Sequence, residues 1–355
     1  MSNDLILSIL LLSIFTSIAV NGILRGIAKK NKILIDLPDR SRKFHKRPTP
    51  LTGGIGILIA LLVSGKLYID LNNLTGYVPE FTFQLMLISI PLLGLFLIDD
   101  IKGLKPIFRI LIQCLLTIYM IFTTNVYIES LGDLFGFGEI KLGVFSLPFT
   151  IFCVVGIMNA FNMIDGINGL CSGCAMLALL LIGFYSGLIY DSMLVLVIGS
   201  MIGFILFNLR MFGKKRGVFL GDSGSNLMGF WVAWCAIYAS QNNLYNVEPI
   251  TMLWFVAIPF LDCIGLIFSR IRRGISWMSP GRDHIHHRLL RRFSPESTLF
   301  LILSITLVTG LIGIYIENSS SPMTSLLMFI TYGFIYYVFA GYDEDHKNSD
   351  LNKNV

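Results

Sequence analysis

The sequence predicts an all-α polytopic integral membrane protein of about eleven transmembrane helices, N-terminus outside and C-terminus cytoplasmic. Three observations carry this. Of 355 residues, 54% are hydrophobic and 14% charged, whereas a soluble domain carries roughly a quarter charged residues. Apolar stretches of about 20 residues, long enough to cross a hydrocarbon core, recur along the whole chain. The basic residues, finally, gather on alternate loops.

The apolar segments run near 5–24, 51–69, 81–98, 107–128, 145–164, 169–190, 192–210, 223–240, 249–268, 298–316 and 322–340. No basic residue precedes the first run, so it is expected to be a retained helix and not a cleaved signal. With the N-terminus outside, the inner regions are 25–50, 99–106, 211–222, 269–297 and the tail. Together with the helix ends Arg109 and Arg210 they hold 25 of the 27 Lys and Arg, leaving only Lys66 and Lys141 elsewhere. That is the positive-inside pattern. Residues 1–341 read as a single transmembrane domain and 342–355 as a polar cytoplasmic tail, expected to be disordered. The six cysteines lie in or beside apolar runs, and Cys171-x-x-Cys174 stands without a second pair, so packing thiols are expected.

Polar chemistry concentrates on the inner loops. The third span ends on Asp99-Asp100, where the helix dipole and the neighbouring carboxylate both oppose each charge. A bound cation or basic side chains should compensate; the plainer reading is a turn with acids paired to Lys102 and Lys105. The first inner loop carries Lys46 and Arg47 directly before Pro48, Gly53 and Gly54. It reads either as a topology-setting cluster touching anionic headgroups or as a phosphate site at a helix start. Asn159, Asn162 and Asp165 recur at three-residue spacing, and so much amide and carboxylate oxygen at a membrane boundary needs partners. Asp165 could otherwise simply cap the next helix.

Lys214-Lys215-Arg216 precede Gly221-Asp222-Ser223-Gly224-Ser225. Asp222 is placed as an N-cap, but an acid beside three bases also suits a metal-plus-phosphate station. The fifth and longest inner loop, 269–297, counting the stretch 159–169 as the third, holds Arg282, Asp283, His284, His286 and His287. Zinc would need carboxylate or thiolate partners, and the cysteines lie elsewhere. Histidines among arginines suit phosphate handling.

Leu97-Ile98-Asp99-Asp100, Asn159-Ala160-Phe161-Asn162-Met163-Ile164-Asp165-Gly166, Gly221-Asp222-Ser223-Gly224-Ser225 and His284-Ile285-His286-His287 occur in the order and on the loops of a known family. Over essentially its whole length the chain resembles the polyprenyl-phosphate N-acetylhexosamine-1-phosphate transferases. The likeness is greatest to their WecA-like branch, which moves GlcNAc-1-phosphate from UDP-GlcNAc to undecaprenyl phosphate and releases UMP. The branch handling the muramyl-pentapeptide precursor has consecutive histidines where this chain has Ile285. Ser223 replaces an alanine common in the WecA-like branch.

The resemblance implies eleven spans, Mg2+ dependence (with Mn2+ as a substitute) and an active site facing the cytoplasm at a bacterial inner membrane. It makes Asp222 a magnesium ligand with Asn162 as a second, and Asp99 and Asp100 the catalytic acid pair. Asp165 falls in the nucleotide region, and His284, His286 and His287 contact the sugar nucleotide. Asn159, Lys46, Arg47, Lys215, Arg216 and Arg282 are the expected phosphate or nucleotide contacts. Expected partners are undecaprenyl phosphate, UDP-GlcNAc and membrane lipid, with no nucleic acid. The choice of N-acetylhexosamine, the glycan begun (O antigen, a common antigen or a teichoic-type polymer), a covalent two-step route and a homodimer stay open. An ion-coupled transporter is the competing class, since membrane acids also mark ion paths.

Overall fold

Helices occupy every apolar segment, and local chemistry sets their ends. The computed structural model describes residues 3–38, 47–71, 80–245, 247–276, 281 and 283–340. Lys46, Arg282 and the tail 342–355 lie outside the described residues. In chain order the elements are α1 (Asn3–Asn31), β1 (Ile35–Asp36), β2 (Thr49–Pro50), α2 (Gly53–Leu71), α3 (Glu80–Lys102), α4 (Pro106–Thr124), α5 (Ser146–Ile164) and α6 (Leu170–Ser186). After them come α7 (Ser192–Asn208), α8 (Gly221–Gln241), α9 (Pro249–Phe255), α10 (Ala257–Arg272), α11 (Ile285–Leu289), α12 (Pro295–Ser319) and α13 (Pro322–Ala340). The two short strands pair antiparallel, Ile35 with Pro50 and Asp36 with Thr49.

Proline and short polar side chains start several of these helices. Pro106 opens α4, where its missing N–H has no helical acceptor to lose. Asp191 caps α7 by accepting the Met193 N–H, and Ser294 caps α12 by accepting the Ser297 N–H. α4 stops at Thr124, short of the expected 128, because Asn125 takes the left-handed conformation at φ 52.

The segment at 249–268 is not one straight helix. α9 and α10 meet at Val256 with a bend of 85°. Pro259, in the first turn of α10, has no N–H to donate to the Phe255 carbonyl four residues back, so the ladder breaks there.

Among the described residues, seven helices are long and apolar enough to cross a membrane, or eight if α9 and α10 form one broken span. α6 and α7 have 17 residues each, about 26 Å at 1.5 Å per residue, slightly under a hydrocarbon core. α8 is long enough, but its Gly-Asp-Ser-Gly-Ser-Asn start dilutes its apolar character.

α8 is the hub. Phe230, Trp231 and Trp234 are fully buried along it, and it packs on α2, α3, α5, α6 and α9. α1 and α7 pack through small polar residues: Ser13 donates to the Leu196 carbonyl and Ser17 to the Ser200 carbonyl, each at 2.6 Å. Large apolar side chains such as Phe15, Phe122, Phe152, Phe300 and Phe339 face outward. So much exposed apolar surface suits lipid and not water. All six cysteines are free thiols, as expected from their apolar settings.

Candidate active site

Two helix ends of opposite polarity meet at the aspartate pair. α3 ends on Asp99-Asp100, and a C-terminus repels negative charge. Against it lies the start of α8, whose first N–H groups have no acceptor within the helix. Asp100 accepts the N–H of Asp222 at 2.7 Å and that of Ser223 at 3.2 Å. A charge misplaced on its own helix is therefore well placed on another. Gly221 permits the approach: its φ is +79, and a Cβ there would stand 2.8 Å from Asp100 Oδ2.

Asp99 turns the other way and is 2% exposed. It accepts the Leu104 N–H at 2.6 Å, and Arg109 Nε lies 2.7 Å from its Oδ2. That last contact is ionic, since the N–H is not aimed at the oxygen. The same guanidinium reaches Asp222 Oδ2 at 3.1 Å. Arg109, from the first turn of α4, thus ties both acids together.

Amides complete the frame. Asn162 donates to Asp222 Oδ1 at 3.0 Å and to Ser225 Oγ at 2.9 Å. Asn159 donates to Gln113 Oε1 at 2.8 Å, Gln113 to Asn226 Oδ1 at 2.7 Å, and Asn226 to the Asp222 carbonyl at 2.8 Å. The expected spacing of Asn159 and Asn162 therefore serves α8, and each amide fixes the Asp222 segment.

Asp165 follows α5 and opens to solvent, although protein mass encloses it on the larger scale. That enclosure, with the charges of Asp222 and Asp100, pushes its pKa up to about 7. Next to it, Gly166 carries the imidazole of His286: a Cβ there would collide with His286 Nε2. His286 is 1% exposed, and neither ring nitrogen has a hydrogen-bond partner. Burial, then the charges of His287 and His284, bring its pKa down to about 3. It is a neutral packing ring, stacked on His284 at 5.5 Å and beside His287 at 4.2 Å between centroids.

From Asp283 onward the fifth inner loop is clamped to α10. Burial alone would raise the Asp283 carboxyl, but Arg270, through hydrogen bonding and charge, and Arg273 outweigh it and hold it at about 2. The contacts are 2.9 Å from Arg270 and 3.0 Å from Arg273. On α10 itself, Asp262 receives His284 Nδ1 at 2.8 Å and the Ile285 N–H at 2.9 Å.

A hard cation fits Asp222. Its carboxylate is 37% exposed, and its negative charge is felt at Asp165, whose carboxyl it helps to raise. Among the described residues no three His, Cys, Asp or Glu side chains could hold a metal ion by themselves. Asp222 would therefore offer a magnesium ion one carboxylate, the rest of its shell coming from substrate phosphate and water.

Comparison with known proteins identifies the family. The profile of "Glycosyl transferase family 4" matches residues 81–240, the stretch holding both Asp99-Asp100 and Asp222. An undecaprenyl-phosphate alpha-N-acetylglucosaminyl 1-phosphate transferase of Yersinia pestis is 34% identical over 87% of this chain and 86% of its own length. The protein of the same name from Escherichia coli K12 is 32% identical over 94% and 89%. Another, from Haemophilus influenzae, is 32% identical over 79% of each. The chain belongs to glycosyl transferase family 4. It is a glycosyl-1-phosphate transferase, as its resemblance to the polyprenyl-phosphate N-acetylhexosamine-1-phosphate transferases implied.

In this family 4 chain Arg109, and none of the expected phosphate contacts, pairs with the acid cluster among the described residues. Arg47, Lys215 and Arg216 are exposed, and the Lys215 carbonyl accepts from Arg25 at 2.7 Å and Lys29 at 3.0 Å at the foot of α1. None of the three forms an ion pair with the acids among the described residues. Sequence reading passed over Arg109, Gln113, Asn226 and Asp262 as functional residues. A signal was present for the first two: Arg109, Gln113 and Thr117 recur every four residues, one polar stripe on an apolar helix.

Proposed function

We propose that the protein transfers GlcNAc-1-phosphate from UDP-GlcNAc to undecaprenyl phosphate, giving undecaprenyl-diphosphate-GlcNAc and UMP. The observation that carries it is the joining of Asp99, Asp222 and Asn162 through Arg109 and the amides at one end of an apolar bundle. The names of the relatives supply the substrates. Magnesium, with manganese as a substitute, would be held by Asp222 and Asn162. It would neutralise diphosphate charge.

A non-bridging oxygen of the lipid phosphate attacks the sugar-bearing β-phosphorus. The bond to the α,β-bridging oxygen breaks, and UMP leaves with that oxygen. Phosphate monoesters have a second pKa near 6, so the nucleophile is mostly ionised at neutral pH and needs no strong base. This agrees with how the acids are held. Asp100 is engaged with the α8 N–H groups, and Asp99 with Arg109 and Leu104. Both act as anchors that hold Asp222 and Arg109 in place, and Asp99, buried in its pair with Arg109, is not placed to move a proton on the substrate. Catalysis is then chiefly positioning and electrostatics. Among the described residues Arg109 is the cation that pairs with the acids, and it is suited to meet an incoming phosphate, while Arg47, Lys215 and Arg216 attract anions to this face.

Eleven crossings, with loops 25–50 and 269–297 in the cytoplasm of a bacterial inner membrane, follow from the positive-inside pattern. The product would begin a surface polysaccharide such as O antigen or common antigen. A broken span is a feature shared with transporters, but its acid, Asp262, is paired with His284.

Purified protein incubated with undecaprenyl phosphate, Mg2+ and UDP-GlcNAc should yield UMP and the lipid diphosphate sugar. Absence of both products with every UDP-N-acetylhexosamine tried, or full turnover in Asp222→Asn, would sink the proposal.

A further inference from the structure

Asp262 lies on α10, past the bend, and is 1% exposed. A carboxylate so deep in an apolar helix is costly without charge-matched hydrogen bonds. It finds them in the fifth inner loop. One oxygen receives His284 Nδ1 at 2.8 Å; the other accepts the Ile285 N–H at 2.9 Å, capping the start of α11. A single side chain therefore grips that loop by both backbone and ring.

The grip has a chemical consequence. An ionised carboxylate only accepts, so the contact requires the proton on Nδ1 of His284 and leaves Nε2 as the other face of the ring. It also has a mechanical one. His284 stacks on His286 with rings 13° from parallel, and His286 rests on Gly166 beside Asp165. The order Asp262, His284, His286, Gly166 links α10 to the end of α5. The bend at Val256 turns α10 away from the line of α9.

We infer that Asp262 is a positioning residue for the transfer reaction: it sets the tautomer and orientation of His284, leaves Nε2 for the sugar nucleotide, and holds the fifth loop in register with Asp165. This rests on the proposed function for its substrate. Asp262 itself touches neither substrate nor reacting atoms. Its effect passes through His284.

Two measurements test it. Nitrogen-15 NMR of histidine-labelled protein in detergent, with His284→Gln to assign the signal, reads the tautomer without any turnover. The wild type should show Nδ1 protonated, and added UDP should shift the Nε2 resonance. Asp262→Asn keeps an oxygen for the Ile285 N–H but turns an NH2 group toward Nδ1, so the proton should move to Nε2, as an Asp→Asn change does beside a catalytic histidine. In the transfer assay, Asp262→Asn should lose activity by on the order of 10²-fold and add little further loss in a His284→Gln background. An Nε2–H tautomer in the wild type, or losses that simply multiply, would overturn the inference. If UDP-GlcNAc is not turned over at all, the proposed function falls and the NMR result still decides the Asp262–His284 pair.

Discussion

Asp100 on α3 accepts the backbone N–H of Asp222 on α8 at 2.7 Å, so the acid that ends one helix caps another. The metal-ligand candidate thus takes its position from a neighbouring carboxylate. Removing a cap costs about 0.5–2 kcal/mol, and here it also frees the Asp222 segment. Asp100→Ala should lower thermal stability in detergent by that order and weaken Mn2+ binding. Asp100→Asn, which keeps one acceptor, should fall between it and the wild type. Equal Mn2+ affinity in all three, by electron paramagnetic resonance, would show that Asp100 does not position Asp222.

Arg109 is the counter-ion of a carboxylate whose side chain is 0% exposed, Asp99. Breaking a buried pair from one side leaves a bare charge and costs about 3–5 kcal/mol, whereas removing both partners costs less. Arg109→Gln should therefore destabilise the protein strongly, and Asp99→Asn in the same chain should recover part of the loss. Arg109→Lys should keep the pair with Asp99 but lose the simultaneous reach to Asp222, since an ammonium is a point and a guanidinium a fork. Denaturation midpoints of the wild type, Arg109→Gln, Asp99→Asn, the double variant and Arg109→Lys decide it. Strictly additive losses would mean that the two side chains are not coupled.

The helices were legible because an apolar run of membrane length leaves the backbone no other way to satisfy itself. The acids and amides were legible because they stand at helix ends on one face. What escaped was partnership. Asp262 reads as a lone acid in an apolar run, and only the fold brings His284 to it from 22 residues away. Arg109 entered the reading as a topology charge, since its partners come from α3 and from Asp222, far along the chain. The bend at Val256 had a local cause in Pro259, but hydropathy averages over a single proline. For Arg47, Lys215 and Arg216, the clustering of charge suggested a membrane face and could not say whether they pair with the acids.

His286 makes stability depend on pH. Its folded pKa is near 3 and an unfolded histidine titrates near 6.5. Between these values the unfolded chain binds a proton that the folded chain refuses. Stability from this residue is therefore complete above about 6.5 and falls as the pH drops, by about 2 kcal/mol at pH 5. Asp165, held up to about 7, pulls the other way. The comparison is accordingly with His286→Gln, in which Asp165 is unchanged. The variant should be less stable at pH 7.5 but lose less between pH 7 and 5. Parallel melting curves for the two proteins across that range would contradict the assignment.

Gly166 separates the role of His286 from that of its charge. A methyl group at this position would fall far inside contact distance of His286 Nε2, so Gly166→Ala must push the imidazole out of its seat. Because His286 is stacked on His284, the displacement should pass along the fifth loop and raise KM for UDP-GlcNAc, leaving KM for undecaprenyl phosphate nearly unchanged. A 1 Å misplacement commonly costs on the order of 10²-fold in rate, and a fall of that size in kcat/KM is expected. Pairing Gly166→Ala with His286→Ala, which opens the space the methyl group needs, should restore part of the loss. If the double variant is as impaired as the product of the two single ones, the contact between the third and fifth inner loops does not control the donor site.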